Sequence, residues 1–253
     1  MSNLKTYEKK KVVGEYVYFS YLFKPEQTFL NMYQKKLGEM KMLDIGVGGG
    51  RTTGYFAKMV KDYTAIDYAK NMIDACKKRF KNNPEYKFIY CDVRDLRAFP
   101  DNEFDLVLFS YNGLDYISHQ ERVSVIKDLY RIAKNGGHFV FSSHNLQSLK
   151  KLYKMKFTSK PFKLLKRVLK FFLIYFFNGP LKKYSSKDFV IINDGSHNFG
   201  LKTYYIKPSE QIEFLSSCGF RDIKLFSIDD GEEKTNYEDI EDDWIYYFCR
   251  VSK

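Results

Sequence analysis

The chain has 253 residues, a length that fits one large domain or two small ones. Hydrophobic residues make up 44% and aromatic residues 18%, which is enough for a buried core and excludes a disordered chain, a collagen and a disulfide miniprotein. The formal net charge of +11 points to an anionic partner, which could be nucleic acid, anionic lipid or a phosphorylated substrate.

The excess positive charge belongs to one segment, residues 150–183, which contains eleven basic residues and no acidic one. The remainder of the chain is neutral. Residues 1–11 are polar, and the longest strongly apolar run, residues 171–177, is far shorter than the roughly 20 residues that span a bilayer. The four cysteines lack metal-ligand spacing, so we expect neither a metal site nor a disulfide framework. These features favour the cytoplasm, where residues 150–183 could contact the inner face of the membrane.

Apolar runs alternate with amphipathic stretches between residues 40 and 145, a pattern typical of βαβ units. The apolar runs predict five strands, at residues 40–45, 63–67, 86–91, 104–110 and 138–143. Helical spacing predicts three helices between them, at residues 51–61, 70–81 and 119–134. We expect Asn135-Gly136-Gly137 to cap the last of these helices.

The alternation stops after Asn145. Residues 162–177 then predict an amphipathic helix with a basic stripe, and Pro208 marks the first turn of a late helix that ends at Gly219. Two closing strands are predicted at residues 220–228 and 244–251.

The predicted fold is therefore α/β, a doubly wound and mostly parallel sheet with an antiparallel last strand and a basic insertion after the fifth strand. It divides into four parts: an N-terminal helical arm or lid (1–39), a ligand-binding core (40–145), the basic insertion as an acceptor lid or surface contact (146–204), and a late helix with the closing strands (205–253).

The first predicted strand runs into a glycine loop, Asp44-Ile45-Gly46-Val47-Gly48-Gly49-Gly50. Glycines allow positive φ angles and a close approach of the backbone to a ligand. The dinucleotide pattern G-x-G-x-x-G would need a glycine at position 51, where Arg51 stands, and this counts against NAD. The next two strands also end in acids, Asp67 and Asp92, and an acid at the second strand end can accept hydrogen bonds from ribose hydroxyls.

This combination resembles the class I S-adenosylmethionine-dependent methyltransferases over roughly residues 40–145, and the resemblance continues more weakly over residues 205–226. The resemblance implies a methyl-transferring enzyme with S-adenosyl-L-methionine as cofactor and S-adenosyl-L-homocysteine as product. It also implies the cofactor-binding residues: Asp44 near the methionine amino group, Gly46, Gly48 and Gly50 beside it, Asp67 with Tyr68 at the ribose, Asp92 with Val93 at the adenine, and Ser110 and Tyr111 at the open edge.

The acceptor site is expected beyond the fourth and fifth strands. The sequence there has neither the N-P-P-Y motif of the adenine and exocyclic-amine methyltransferases nor the Pro-Cys nucleophile of the cytosine enzymes, so methylation of a nucleic-acid base is disfavoured. His144 is the first candidate for a general base, because a neutral imidazole at a strand end can accept a proton. Asp115 and His119 are candidates to act with it or instead of it. His197 could join only if the insertion folds over the site, and His138, inside a strand, is expected to be structural.

Aromatic residues of the N-terminal arm, Tyr16, Phe19 and Tyr21, allow two interpretations: they cover the cofactor, or they pack in the core. Arg51 likewise either holds the cofactor carboxylate or stays in solvent.

The whole chain also resembles methyltransferases found with bacterial surface-polysaccharide genes, through residues 111–116, 141–145 and 204–208. This implies O-methylation of a sugar, or of a phosphate- or phosphoramidate-type decoration, on a capsule or lipooligosaccharide precursor. Two alternatives stay open: methylation of RNA or another small molecule, and an inert cofactor-binding protein that docks through its basic segment. The aromatics of that segment cluster rather than interleave with the charges, which disfavours nucleic acid. The oligomeric state is left open.

Overall fold

The computed structural model describes residues 4–155, 157–196 and 198–253, and its strands join in one mixed sheet. Three helices precede the sheet: α1 (Leu4–Tyr7), α2 (Lys10–Tyr18) and α3 (Lys24–Leu37). Pro25 lies in the first turn of α3, where its missing N–H costs nothing, and Glu26 accepts a hydrogen bond from the backbone N–H of Phe23.

The alternating region follows as predicted: β1 (Lys41–Ile45), α4 (Thr53–Phe56), β2 (Asp62–Asp67), α5 (Lys70–Arg79), β3 (Lys87–Tyr90), β4 (Phe104–Phe109), α6 (His119–Ile132) and β5 (Ala133–Asn145). These strands pair in the order β3-β2-β1-β4-β5, and every pair is parallel.

The later elements are α7 (Pro161–Asn178), β6 (Phe189–Ile192), β7 (Thr203–Ile206), α8 (Pro208–Ser217), β8 (Phe220–Ser227), β9 (Glu233–Lys234) and β10 (Trp244–Val251). The last strand, β10, lies between β5 and β8 and is antiparallel to both. This confirms the predicted sheet, mostly parallel with an antiparallel last strand. No helix in the described ranges has both the length and the apolar character needed to cross a bilayer.

Successive strand residues point to opposite faces of the sheet and build two cores. Leu43 and Val107 belong to the cluster that includes α6 and α8, whereas their neighbours Met42 and Leu106 belong to the cluster that includes α3 and α5. The sheet is therefore covered by helices on both faces, which leaves the carboxyl ends of its strands as the open edge.

The predicted cap at Asn135-Gly136-Gly137 is wrong. The helix ends at Ile132, and Ala133 is already extended and pairs with Phe104 of β4. The glycines lie in an irregular part of β5, where a Cβ at Gly137 would come within 3.1 Å of two backbone carbonyl oxygens. Their role is a close approach of two strands rather than the end of a helix.

Two further elements differ from the prediction. The helix predicted at residues 51–61 is shorter in the structure, where only α4 is helical. The backbone N–H of Lys61 donates to the carbonyl of Met40, so the chain is already turning into β2 at this point. The region predicted as insertion contributes the hairpin β6–β7, and β7 extends the sheet by pairing with the end of β5, where Tyr205 lies opposite His144. Side-chain alternation in these short strands is too brief to predict that pairing.

Candidate active site

A cavity of about 1320 Å³ opens at the carboxyl ends of β1, β2, β3 and β4. Its volume exceeds the roughly 300–1,000 Å³ of a site for one small molecule, so a cofactor and an acceptor fit side by side. Eight of the ten predicted cofactor-binding residues line it: Gly46, Gly48, Asp67, Tyr68, Asp92, Val93, Ser110 and Tyr111.

The glycine loop between β1 and α4 forms one wall of the cavity. Gly48 has a φ of +55°, and a Cβ there would lie 3.1 Å from the ring of Tyr16. The backbone N–H of Gly48 donates to Asp67 at 2.9 Å, which fixes the loop against the end of β2. A side chain at this position would both strain the backbone and fill the space beneath the arm.

Asp67 is the acid at the end of β2 and faces the cavity. One carboxylate oxygen accepts from Gly48 and the other from the backbone N–H of Ala69 at 2.8 Å. Each oxygen has a second lone pair, so the carboxylate can still accept from two ligand hydroxyls. Burial raises its pKa to about 6, in spite of the two backbone donors.

Asp92 follows β3 on the opposite wall and forms an ion pair with Arg94 at 2.6 Å. Burial acts to raise the pKa of Asp92, but hydrogen bonds from Arg94 outweigh it and hold the pKa below its usual value. Arg94 also pairs with Glu121 of α6 at 2.9 Å. This end of the cavity therefore carries an ionised acid, with Val93 beside it.

The structure does not bring Asp44 and Gly50 to the cavity. Asp44 is buried behind the loop, where it accepts hydrogen bonds from the hydroxyls of Thr52 at 2.5 Å and Tyr63 at 2.6 Å. Burial raises its pKa to about 6. Gly50 packs against the ring of Phe80.

The Arg51 side chain neither extends into solvent nor is available to bind a ligand carboxylate, because its guanidinium is paired with Glu26 of the arm. Two hydrogen bonds of 2.6 and 2.7 Å join the two side chains, and both are buried. Arg51 also donates to the hydroxyl of Ser110 at 2.8 Å, and Glu26 accepts from the hydroxyls of Ser110 and Tyr246. The pair ties α3 to the glycine loop and to the end of β4.

The N-terminal aromatics divide between the two interpretations. Tyr16 lines the cavity above Gly48, while Phe19 packs edge-on against Tyr111 at the cavity wall. Tyr21 contacts Phe19 rather than the cavity. The arm thus covers the glycine loop with Tyr16 and supports that cover with the other two rings.

His144 lies on the cavity wall at the end of β5, and Asp115 holds its ring from behind. The Nδ1 atom of His144 is 2.8 Å from an Asp115 carboxylate oxygen, which also accepts from the backbone N–H of His144 at 2.7 Å. An ionised carboxylate only accepts hydrogen bonds, so Nδ1 carries a proton, and in the neutral form of the ring the lone pair is then on Nε2. Nε2 is 3.4 Å from the side-chain nitrogen of Asn112, another cavity residue.

Asp115 does not reach the cavity, since its side chain is fully buried. It accepts from Arg122 of α6 at 2.7 Å and from the hydroxyl of Ser143 at 2.7 Å. Arg122 is equally buried and donates its other terminal nitrogen to Gln211 of α8. The guanidinium balances the charge of the carboxylate. Asp115 is therefore a positioning residue for His144.

His119, the other catalytic candidate, lies apart from the cavity. Its Nδ1 atom is 2.9 Å from the hydroxyl of Tyr204, and its ring stacks on Phe189 at 4.1 Å between centroids. Burial and the nearby Arg122 lower its pKa. It lines a separate pocket of about 210 Å³, so the structure does not join it to His144.

The two remaining histidines have different outcomes. His138 packs against Tyr33 with the rings tilted and 4.3 Å apart between centroids, and burial lowers its pKa to about 4, which fits the structural role expected of it. His197 lies outside the described residues.

Sequence reasoning placed Asn112 at the open edge only as part of the segment after the fourth strand, and it did not anticipate Trp244 as a cavity residue. Asn112 and the preceding Tyr111 both have a φ of +57°, an uncommon conformation that turns the chain sharply after β4. Trp244 begins β10 opposite His144, with its ring 5.4 Å from that of Tyr111. The only signal was that Trp244 is the single tryptophan, because the register of β10 on β5 is a long-range property.

Comparison with known proteins agrees with this site. Residues 42–137 match the family described as "Methyltransferase domain", a range that carries the glycine loop, Asp67 and Asp92. The tRNA N(3)-methylcytidine methyltransferase trm140 of Schizosaccharomyces pombe is 29% identical over 137 residues, which cover 49% of this chain and 42% of that protein. The chain spans about two fifths of the length of the curated relatives that it matches.

Two solved structures share the fold over nearly the whole chain. An S-adenosylmethionine-dependent methyltransferase from Clostridium acetobutylicum has a TM-score of 0.62 at 14% identity, covering 91% of this chain and 92% of that one. The 1,6-didemethyltoxoflavin-N1-methyltransferase of Burkholderia thailandensis, crystallised with bound 1,6-didemethyltoxoflavin and S-adenosylhomocysteine, has a TM-score of 0.55 at 14% identity, covering 90% of this chain and 79% of that one. The predicted Rossmann-like methyltransferase fold is confirmed.

The cavity residues fit the cofactor of this fold. The cradle at Gly48 has no room for a side chain, the Asp67 carboxylate keeps lone pairs for ribose hydroxyls, and Asp92 is an ionised acceptor at the far end. Residues 42–137 match a methyltransferase domain, and the cofactor that this match and the cavity residues indicate is S-adenosyl-L-methionine.

Proposed function

We propose that the chain methylates an oxygen atom of a small acceptor, a sugar- or a phosphate- or phosphoramidate-type precursor of a bacterial capsule or surface glycan. The observation that carries this proposal is the orientation of His144, which lines the cavity while Asp115 holds its Nδ1 at 2.8 Å and leaves Nε2 on the opposite side of the ring. A base fixed in this way assists a hydroxyl acceptor, which has to lose its proton.

Methyl transfer requires the protein to position the acceptor oxygen against the methyl group and to provide a proton acceptor. When bound, S-adenosylmethionine supplies an electrophilic methyl group and departs as the neutral thioether S-adenosylhomocysteine. In this proposal, Nε2 of His144 accepts the proton of the acceptor hydroxyl, and Asp115, 2.8 Å from Nδ1, stabilises the positive ring that results. A positioned base of this kind contributes roughly 10²- to 10⁴-fold to a rate.

The shape of the site supports a small acceptor. Tyr16 and the rest of the arm narrow the cavity from above, and the rings of Tyr111 and Trp244 offer flat apolar walls beside the imidazole. Such walls suit the C–H faces of a sugar ring, while Asn112 and His144 supply polar contacts for its hydroxyls.

Positive charge near the rim supports an anionic precursor. The aliphatic part of Lys170 packs so closely on Gly195 that a Cβ there would lie 2.9 Å from Lys170 Cε. The next residue, Ser196, is part of the cavity wall. A cation at this place raises the local concentration of phosphate-bearing acceptors.

The first test is calorimetric titration of the full chain with S-adenosylhomocysteine, with NAD as the control ligand. We expect saturable binding of S-adenosylhomocysteine alone, and loss of that binding in Asp67→Ala. Turnover is then measured as formation of S-adenosylhomocysteine with nucleotide-linked sugars, phosphorylated sugars and phosphoramidates as acceptors. Cofactor binding without turnover of any of these would contradict the proposed acceptor class, and turnover of RNA in their place would replace it.

The role of His144 has its own pair of variants. His144→Ala should retain S-adenosylhomocysteine affinity and lose roughly 10²-fold or more in turnover. His119→Gln is the matched control, because His119 lies in a separate pocket, and its turnover should stay close to that of the wild type. Full turnover in His144→Ala would show that no base acts from this position.

A further inference from the structure

Helix α7 presents an apolar stripe to solvent. Its members recur at positions i, i+3, i+7, i+10 and i+14, which places them on one side of the helix over about 21 Å. They are Phe162, Leu165, Leu169, Phe172 and Phe176, and the three phenylalanines are 84%, 63% and 81% exposed. An apolar stripe of this length on the outside of a protein indicates a binding surface.

The other side of α7 is fixed to the protein, so the stripe cannot turn inward. Ile174 is buried in a cluster with Val190 and Tyr205. The side chain of Asn178 donates to the carbonyl of Asn193 and accepts from its backbone N–H, both at 2.8 Å. These contacts hold the helix on the hairpin β6–β7 and direct the stripe away from it.

At about 100° per residue, Lys166 lies next to Phe162 at the border of the stripe, and Lys163, Arg167 and Lys170 lie further round the helix on its polar side. Among the described residues, no carboxylate pairs with the three lysines, whereas Lys150 and Lys151 at the start of the basic segment pair with Glu241 and Asp243. The segment 150–183 contains no acidic residue of its own. The positive field around the apolar stripe is therefore not neutralised by the protein.

We propose that α7 docks on an anionic membrane surface, with its apolar stripe in the headgroup region and its lysines against anionic lipid headgroups. A helix that combines aromatic and aliphatic residues on one side with lysines on its polar side is suited to lie in that interface. A second copy of the chain would bring two uncompensated basic segments together, and nucleic acid would leave the phenylalanines exposed. Charge complementarity and the apolar stripe together favour lipid.

The position of α7 links this surface to the cavity. Asn178 holds Asn193, and the loop that continues from Asn193 reaches Ser196 on the cavity wall. Docking through α7 therefore leaves the rim of the cavity on the far side of the helix, about one helix diameter (~10 Å) from the lipid headgroups. This inference concerns where the chain binds and does not depend on the identity of the methyl acceptor.

The test is co-sedimentation of the full chain with vesicles of phosphatidylcholine, with and without about one third phosphatidylglycerol. We expect binding to the anionic vesicles, weakened by salt, and little binding to the neutral ones. Phe172→Ser/Phe176→Ser should lower vesicle affinity by roughly tenfold or more. Lys163→Gln/Lys166→Gln should lower it by about fivefold per lysine at low salt.

Exposed residues elsewhere provide matched controls. Tyr18→Ser/Met32→Ser removes two exposed apolar side chains outside α7, and vesicle affinity should not change. Circular dichroism and S-adenosylhomocysteine titration show whether each variant is folded. Absence of binding to anionic vesicles, or unchanged binding of Phe172→Ser/Phe176→Ser, would overturn the proposal. A wild-type dimer that this variant dissociates would also overturn it by assigning the stripe to a second copy.

Discussion

The buried pair between Glu26 and Arg51 should decide whether the N-terminal arm stays on the glycine loop. Glu26 is 0% exposed and accepts from five donors, two of them on the Arg51 guanidinium at 2.6 and 2.7 Å. Glu26→Gln keeps the size of the side chain but removes its charge and turns an NH₂ group toward some of these donors. The perturbation therefore leaves a buried guanidinium without its counter-charge.

The cost follows from what is lost. Breaking one side of a buried ion pair costs about 3–5 kcal/mol, because the remaining charge stays desolvated. That is a large part of the roughly 5–15 kcal/mol by which domains are stable. Glu26→Gln/Arg51→Met, which removes both charges, should cost clearly less than the sum of the two single variants.

Urea unfolding of the four proteins of this cycle measures these differences. Asp74→Asn is the matched control, since it breaks the exposed pair between Lys70 and Asp74 at the surface of α5 and should change the free energy of unfolding by less than about 1 kcal/mol. If Glu26→Gln lost no more than this control, the reasoning that the arm is fastened through a desolvated ion pair would be refuted.

Three further predictions concern the cofactor. Asp67→Asn should weaken S-adenosylhomocysteine binding by about tenfold or more, because an amide replaces a charged acceptor; calorimetry measures this. Wild-type affinity should fall as the pH decreases through about 6, where the carboxylate of Asp67 becomes protonated, and the fall should be absent in Asp67→Asn. Gly48→Ala should lower the free energy of unfolding by about 1–2 kcal/mol, since the φ of Gly48 is +55°, and it should also lower S-adenosylhomocysteine affinity. Gly54→Ala, with nothing near its Cβ, should leave affinity unchanged.

The parts of the site that are local in sequence could be predicted. Gly48 and Asp67 stand at strand ends, where the order of a parallel sheet alone brings them to one edge, and the structure places both at the cavity. The position of His119 could not be predicted, because it depends on the pairing of β7 with β5, which places Tyr204 and the hairpin against it. Nor could periodicity reveal that Glu26, 25 residues before Arg51 in the chain, would neutralise it.

Two buried charge pairs therefore position the two halves of the site. On one face of the sheet, Glu26 of α3 holds Arg51 and through it the glycine loop, where the cofactor is expected. On the other face, Arg122 of α6 holds Asp115, and Asp115 orients the ring of His144. Each pair sits where a helix meets the open edge of the sheet, and each places a donor or acceptor in a fixed direction, because a desolvated charge tolerates little movement away from its partner. Loss of the first pair should therefore lower cofactor affinity, and loss of the second should lower turnover, so that the two functions of the site can be separated by mutation.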